Sequence, residues 1–140
     1  MKPGPPPAKR IVAGILRRDG QILICQRSRT QVQALRWEFP GGKMEAGESE
    51  SAALVRELRE ELGVEAQVGE LIKRVNYRYS ETAWLDLAFY AVAAFVGEPV
   101  NRVFEQVRWV RPAEMADFDF LEADRPILSL LMGREWCGSS

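Results

Sequence analysis

Residues 37–64 read WEFPGGKMEAGESESAALVRELREELGV. Pro40-Gly41-Gly42 interrupts any regular element, because proline has no N–H to give and paired glycines leave the backbone unconstrained. A polar loop follows through Gly47. Ser49 is suited to accept from the free N–H groups of a first helical turn. Leu54, Leu58 and Leu62 then recur every four residues, which is one apolar stripe on one helix face. Gly63 followed by Val64 has the form of a C-terminal cap with an apolar anchor. The spacing predicts a helix over residues 50–62, opened by a glycine-rich loop.

On that helix Glu57, Glu60 and Glu61 stand at i, i+3 and i+4 and share a face. Like charges at i, i+4 cost a helix about 0.2–0.5 kcal/mol per pair. The cluster is either a solvated acidic patch or a set of hard oxygen ligands for a divalent cation. The preceding glycines favour the second reading, since they let the backbone approach a ligand and offer a carbonyl to it. Glu48, eight residues before Arg56, can pair with it and so brace the ligating glutamates from behind.

Outward from this unit, the apolar run Ile11–Leu16, the turn signal Asp19-Gly20 and the second run Ile22–Ile24 read as a hairpin. Residues 28–36 are polar and aperiodic, a loop. Residues 66–79 and 83–96 read as strands, ended by Gly97-Glu98-Pro99. Val107, Trp109 and Val110 suggest a short strand, and Pro112 with Glu114 a helical turn. A last helix is expected over about 123–132, with Ile127, Leu128, Leu130 and Leu131 on its apolar side and Pro126 in its first turn. The order β-β-β-α-β-β-α predicts an α+β class domain, a mixed sheet layered as an α/β/α sandwich.

Composition narrows the chemistry. The 140 residues suit one domain, and 19 Lys+Arg against 20 Asp+Glu give a net charge of -1, without the basic excess of a nucleic-acid-binding domain. The chain has no histidine, which excludes Ser-His-Asp triads, Cys-His dyads and imidazole-ligated zinc. An enzyme built from this chain works with carboxylates, and an oxygen-only site prefers Mg²⁺ or Mn²⁺. Cys25 and Cys137 make no disulfide framework, no leader or membrane-length apolar run is present, and a cytoplasmic location is expected. Residues 1–9, with Pro3, Pro5, Pro6 and Pro7, read as a disordered Pro-rich tail ahead of a domain over 10–134.

Gly42, five residues, Glu48, seven residues, Arg56-Glu57-Leu58, one residue, Glu60-Glu61, one residue, Gly63-Val64 is the complete Nudix box. The chain resembles the Nudix hydrolase superfamily from about Arg10 to Met132. Trp37-Glu38-Phe39-Pro40-Gly41-Gly42-Lys43 and the later Trp109, Pro112 and Glu114 look like its MutT-type branch. The resemblance implies the Nudix fold, with Glu57, Glu60, Glu61 and the Gly41 carbonyl as ligands to Mg²⁺ or Mn²⁺. Arg56 and Glu48 would brace them, and Glu57 or Glu60 would act as general base. Many relatives carry one more metal-binding glutamate where this chain has Val103; either Glu105 or Glu98 would substitute for it, or the site lacks this ligand, and Glu105 is carried as the candidate.

Arg27 and Lys43 would contact phosphates, and Phe39 would pack on the base or in the core. Asp124, two residues before Pro126, matches a base-reading position of MutT-like proteins, although it could equally cap the last helix. An ionised aspartate there could only accept hydrogen bonds. The implied activity is metal-dependent hydrolysis of a nucleoside triphosphate to monophosphate and pyrophosphate. The sanitised nucleotide would be 8-oxo-dGTP or a cytidine-type triphosphate. ADP-ribose or dinucleoside polyphosphate hydrolysis is the second enzymatic reading, and a non-catalytic nucleotide sensor the third. The partner is a nucleotide, not a nucleic acid or a membrane, and the protein would be a monomer or homodimer.

Overall fold

The computed structural model describes residues 8–133. Strand β1 (Ala8–Arg18) turns at Asp19-Gly20 into β2 (Gln21–Gln26). Two short strands follow, β3 (Trp37–Glu38) and β4 (Gly41–Lys43), then α1 (Glu50–Leu62), β5 (Glu65–Ser80), β6 (Ala83–Val96) and β7 (Gln106–Val110). Two 3-10 turns, Pro112–Asp117 and Glu122–Asp124, lead into α2 (Arg125–Gly133). The predicted α1 is present with both its caps. The Ser49 side chain accepts from the Ala52 N–H, and Gly63 is left-handed at φ 69°.

The seven strands form one mixed sheet in the order β3-β2-β1-β6-β5, with β4 added to β1 and β7 to β2. β1 runs parallel to β6 from Ala8 to Leu16. Its other edge is divided: residues 11–13 pair with β4 and residues 17–18 with β2. The β2–β3–β7 ribbon therefore diverges from the main sheet, and the glycine-rich loop fills the gap. Gly41 lies directly on β1, where an added Cβ would stand 1.9 Å from the Val12 carbonyl oxygen.

Alternation along the strands divides the core in two. Val12, Leu16, Leu23, Ala88 and Val92 pack with Leu54, Leu58 and Leu62 of α1. Ala13, Ile15, Ile22, Ile24 and Phe89 pack with Ile127, Leu128 and Leu131 of α2. Each face buries an apolar helix stripe, which is the expected α/β/α layering. No helix among the described residues is long and apolar enough to cross a membrane.

Two expectations change. Three strands are expected before α1 and four are found: the breaker Gly41-Gly42 with Lys43 forms β4, because the loop backbone completes β1's edge. Ala8 and Lys9 belong to β1 rather than to a tail; the remainder of the Pro-rich stretch, Arg134 and Cys137 lie outside the described residues.

Candidate active site

The site is assembled where α1 meets the loop that fills the divided edge of β1. Arg56 is its hub. Its Nε and Nη2 donate to the two carboxylate oxygens of Glu48 at 2.7 and 2.9 Å, and Nη2 also donates to the Lys43 carbonyl at 3.0 Å. Its Nη1 donates to Glu57 at 3.0 Å and lies 3.4 Å from Glu60. The anticipated Glu48–Arg56 tie between loop and helix is therefore formed. The Arg56 guanidinium, with the Glu45 N–H, holds the Glu48 carboxyl down at about 2.

Glu57 and Glu61 face the loop. An added Cβ at Gly42 would stand 2.5 Å from the Glu57 carboxyl carbon, so only glycine lets that carboxylate lie against the backbone. The Gly41 N–H donates to Glu61 Oε1 at 3.0 Å. Burial, then neighbouring Glu57, then Glu38 and Glu60, push Glu61 up to about 9, against the pull of the Gly41 N–H. Burial also raises Glu57 despite its bond to Arg56. Glu60 is the most exposed of the three.

Crowded, desolvated carboxylates of this kind need either protons or a cation. The donor set consists of hard oxygens only and fits Mg²⁺ or Mn²⁺. Among the described residues no three acidic groups are already gathered at ligand spacing, and Arg56 draws Glu57 and Glu60 toward itself.

Glu57 and Glu61 line a cavity of about 470 Å³ together with Gly42, Lys43, Phe39 and Asp124. Phe39 is core, its ring centroid 5.3 Å from Phe120 and 6.2 Å from Phe89, with an edge on the cavity. Among the described residues Asp124 is the one buried charged residue type, 4% exposed. Burial, with Glu38 close by, pushes its carboxyl well above the usual range, although it accepts from the Phe39 N–H and lies near Arg27. A second hollow, adjoining through Ile11, Arg27 and Lys43, is lined by Tyr77, Tyr79 and Leu85.

The remaining predicted residues are distributed unevenly. Lys43 is exposed and lines the cavity. Arg27 also lines it, but its guanidinium is engaged by Glu38 at 3.0 Å and by the Val32 carbonyl at 2.8 Å. Glu105 is paired with Arg29 at 3.2 Å and Glu98 with Arg18 at 2.9 Å. Neither is on the cavity wall, whereas Val103 is.

Glu38 also lines the cavity, and its mark in the sequence is a charge between two aromatics, Trp37 and Phe39, both buried. Tyr77, which bonds to Glu122 across the second hollow, has no comparable mark in the sequence.

The NUDIX domain family matches residues 6–131. The CTP pyrophosphohydrolase of Escherichia coli K12 is 41% identical over 122 residues, covering 87% of this chain and 90% of that protein. The 8-oxo-dGTP diphosphatase of Haemophilus influenzae is 37% identical, covering 88% and 90%. Among solved structures, the E. coli ORF135 protein superposes with a TM-score of 0.82 at 39% identity, covering 91% of each chain. MutT from Aliivibrio salmonicida and Vibrio cholerae superposes at 0.76 and 36% identity, covering 91% and 98%.

Proposed function

The chain belongs to the NUDIX domain family and is a Nudix hydrolase, and from that premise we propose that it is a Mg²⁺- or Mn²⁺-dependent pyrophosphohydrolase of nucleoside triphosphates. It would sanitise the nucleotide pool by removing 8-oxo-dGTP or cytidine-type triphosphates. One observation carries the reading: Glu57, held by Arg56, and Glu61 line the same cavity as the buried Asp124. A phosphate chain beside the two glutamates and a base beside Asp124 would share that cavity. The names of the two curated relatives span both candidate bases.

Glu57, Glu60, Glu61 and the Gly41 carbonyl are the groups that would hold the cations. When bound, the ions offset the phosphates' charge and lower the pKa of an attacking water. Arg56 keeps Glu57 oriented toward the loop, and Glu48 keeps Arg56 in place. Glu57 or Glu60 takes the proton from the attacking water, the general base a protein without histidine must supply from a carboxylate. Glu105 would join the ligands only by leaving Arg29. Lys43, exposed and on the cavity lining, neutralises the phosphate chain. Asp124, beside Phe39 and Arg27, reads the base. The buried free thiol of Cys25 supports a reducing, cytoplasmic setting.

The test is a product assay on canonical and oxidised triphosphates with Mg²⁺, measuring pyrophosphate and phosphate together. Equimolar monophosphate and pyrophosphate are expected. Turnover confined to ADP-ribose or dinucleoside polyphosphates would refute the reading, and so would ligand binding without turnover.

A further inference from the structure

The last turn of α1 carries Glu60 and Glu61, and one short segment between β6 and β7 meets it end-on. A helix leaves the carbonyls of its last four residues without partners inside the helix. Here the Leu62 carbonyl accepts from the Val100 N–H at 2.9 Å, and the Glu61 carbonyl from the Arg102 N–H at 3.2 Å. The Arg59 carbonyl accepts from the Gly63 N–H at 3.0 Å and from Arg102 Nη1 at 3.3 Å. The Arg102 guanidinium lies across Gly63, where an added Cβ would stand 2.8 Å from Nη2 and 3.1 Å from Cζ. A cation placed there also offsets the negative end of the helix dipole.

The same segment reaches the cavity, since Val103 and Phe104 line it together with Glu57 and Glu61. Its turn is fixed from within and from the far side. Asn101 donates to the Phe104 carbonyl and accepts from the Phe104 N–H, both at 2.8 Å. The Glu105 N–H donates to the Gln26 carbonyl of β2 at 2.9 Å. Glu98 and Glu105, on either side of the segment, are paired with Arg18 and Arg29 and do not line the cavity. The segment thus brings no carboxylate of its own to the cavity wall; what it does is hold the end of α1.

From this arrangement we infer that Arg102 is a positioning residue, which clamps the last turn of α1 and so fixes where Glu60 and Glu61 stand against the Gly41-Gly42 loop. The inference rests on those glutamates holding cations in the proposed hydrolase. Helix ends are the part of a helix that opens most readily. Opening of this turn would carry Glu60 and Glu61 away together and break the bond from the Gly41 N–H to Glu61, now 3.0 Å. Glu57 lies one turn further inside the helix and is held by Arg56 at 3.0 Å. Loss of the Arg102 side chain therefore loosens the carboxylate cluster from one side only. Arg102 is exposed, so its removal leaves the core intact.

The experiment is Mn²⁺ binding to the nucleotide-free protein, followed by the electron paramagnetic resonance of the free ion, for wild type, Arg102→Ala, Arg102→Lys and Glu61→Gln, with a thermal melt of each. Arg102→Ala should bind Mn²⁺ about 10-fold more weakly, in keeping with loss of an outer partner of a metal site. Arg102→Lys keeps the charge and a donor for the Arg59 carbonyl, and should recover most of that affinity. In hydrolysis, Arg102→Ala should need about 10-fold more Mg²⁺ for half-maximal rate, and should approach the wild-type kcat once Mg²⁺ saturates.

An Arg102→Ala protein that binds Mn²⁺ as wild type does, whatever its melting temperature, would overturn the inference and leave Arg102 a helix cap alone. Wild type that binds Mn²⁺ no more tightly than Glu61→Gln would overturn the assignment of Glu61 as a ligand, and this inference with it. If Arg102→Ala does not fold, Arg102→Met, which keeps a stem over Gly63 and lacks the donors, takes its place with the same two outcomes.

Discussion

Arg56 and Glu48 meet through two parallel hydrogen bonds of 2.7 and 2.9 Å, and the same guanidinium reaches Glu57 at 3.0 Å. The planar fork makes these contacts together; an ammonium is a single point charge and cannot. Arg56→Lys should keep the charge and lose the geometry. Loss of an outer partner of a metal site typically costs about 10–100-fold, and kcat should fall within that range with little change in melting temperature. Steady-state kinetics beside thermal denaturation would check it, and kcat equal to wild type would remove Arg56 from the bracing role.

Gly42→Ala tests the packing of Glu57 on the loop. The new methyl would stand 2.5 Å from the Glu57 carboxyl carbon, so the carboxylate must move while the core is untouched. Activity should fall about 100-fold, comparable to loss of a catalytic carboxylate. The circular dichroism spectrum should be unchanged. A fully active Gly42→Ala would show that Glu57 is not required at that position.

Not every glutamate of α1 belongs to this chemistry. Glu50 bonds to Arg74 through both oxygens at 2.8 and 2.9 Å, to Arg10 at 2.8 Å and to the Tyr90 hydroxyl. These groups hold its carboxyl at about 2. Glu50→Gln should lower the melting temperature by about 2–4 °C per kcal/mol lost and leave kcat nearly as in wild type. Glu57→Gln should show the reverse pattern. Equal effects of the two changes on both readouts would dissolve the distinction.

Two opposite pH dependences follow from the shifted carboxyls. Glu48 and Glu50 have folded pKa values of about 2, below the ordinary carboxylate value of about 4.3. Their contributions are present above that value and lost as the pH falls toward 2. Glu61 is raised to about 9, so the metal-free folded state binds its proton more tightly than the unfolded chain does. Between about 4.3 and 9 the metal-free protein should lose stability as pH rises. Added Mg²⁺ should relieve that loss, and its stabilising increment in thermal shift should be larger at pH 8.5 than at pH 6. An increment that shrinks with pH would contradict the role of Glu61.

The central motif was legible because its spacing carries both structure and chemistry. Ser49, the leucine stripe and Gly63 delimit α1, and Glu48, Arg56, Glu57 and Glu61 come together through that helix's periodicity. β4 was not legible, since Pro40-Gly41-Gly42 reads locally as a breaker, and Gly41–Lys43 pairs with β1 only because that edge is divided. Glu105 and Glu98 illustrate another limit: a carboxylate near the right position in sequence says nothing of the arginine that engages it. The burial of Asp124 depends on packing between distant parts of the chain, and no local pattern encodes it.

The most direct test is release of pyrophosphate from CTP and from 8-oxo-dGTP by wild type and Glu57→Gln, with Mg²⁺ and with EDTA. Wild type with Mg²⁺ should yield monophosphate and pyrophosphate in equal amounts. EDTA should abolish the reaction, and Glu57→Gln should slow it about 100-fold or more. Release of phosphate with a nucleoside diphosphate, or turnover that persists in EDTA or in Glu57→Gln, would contradict the account.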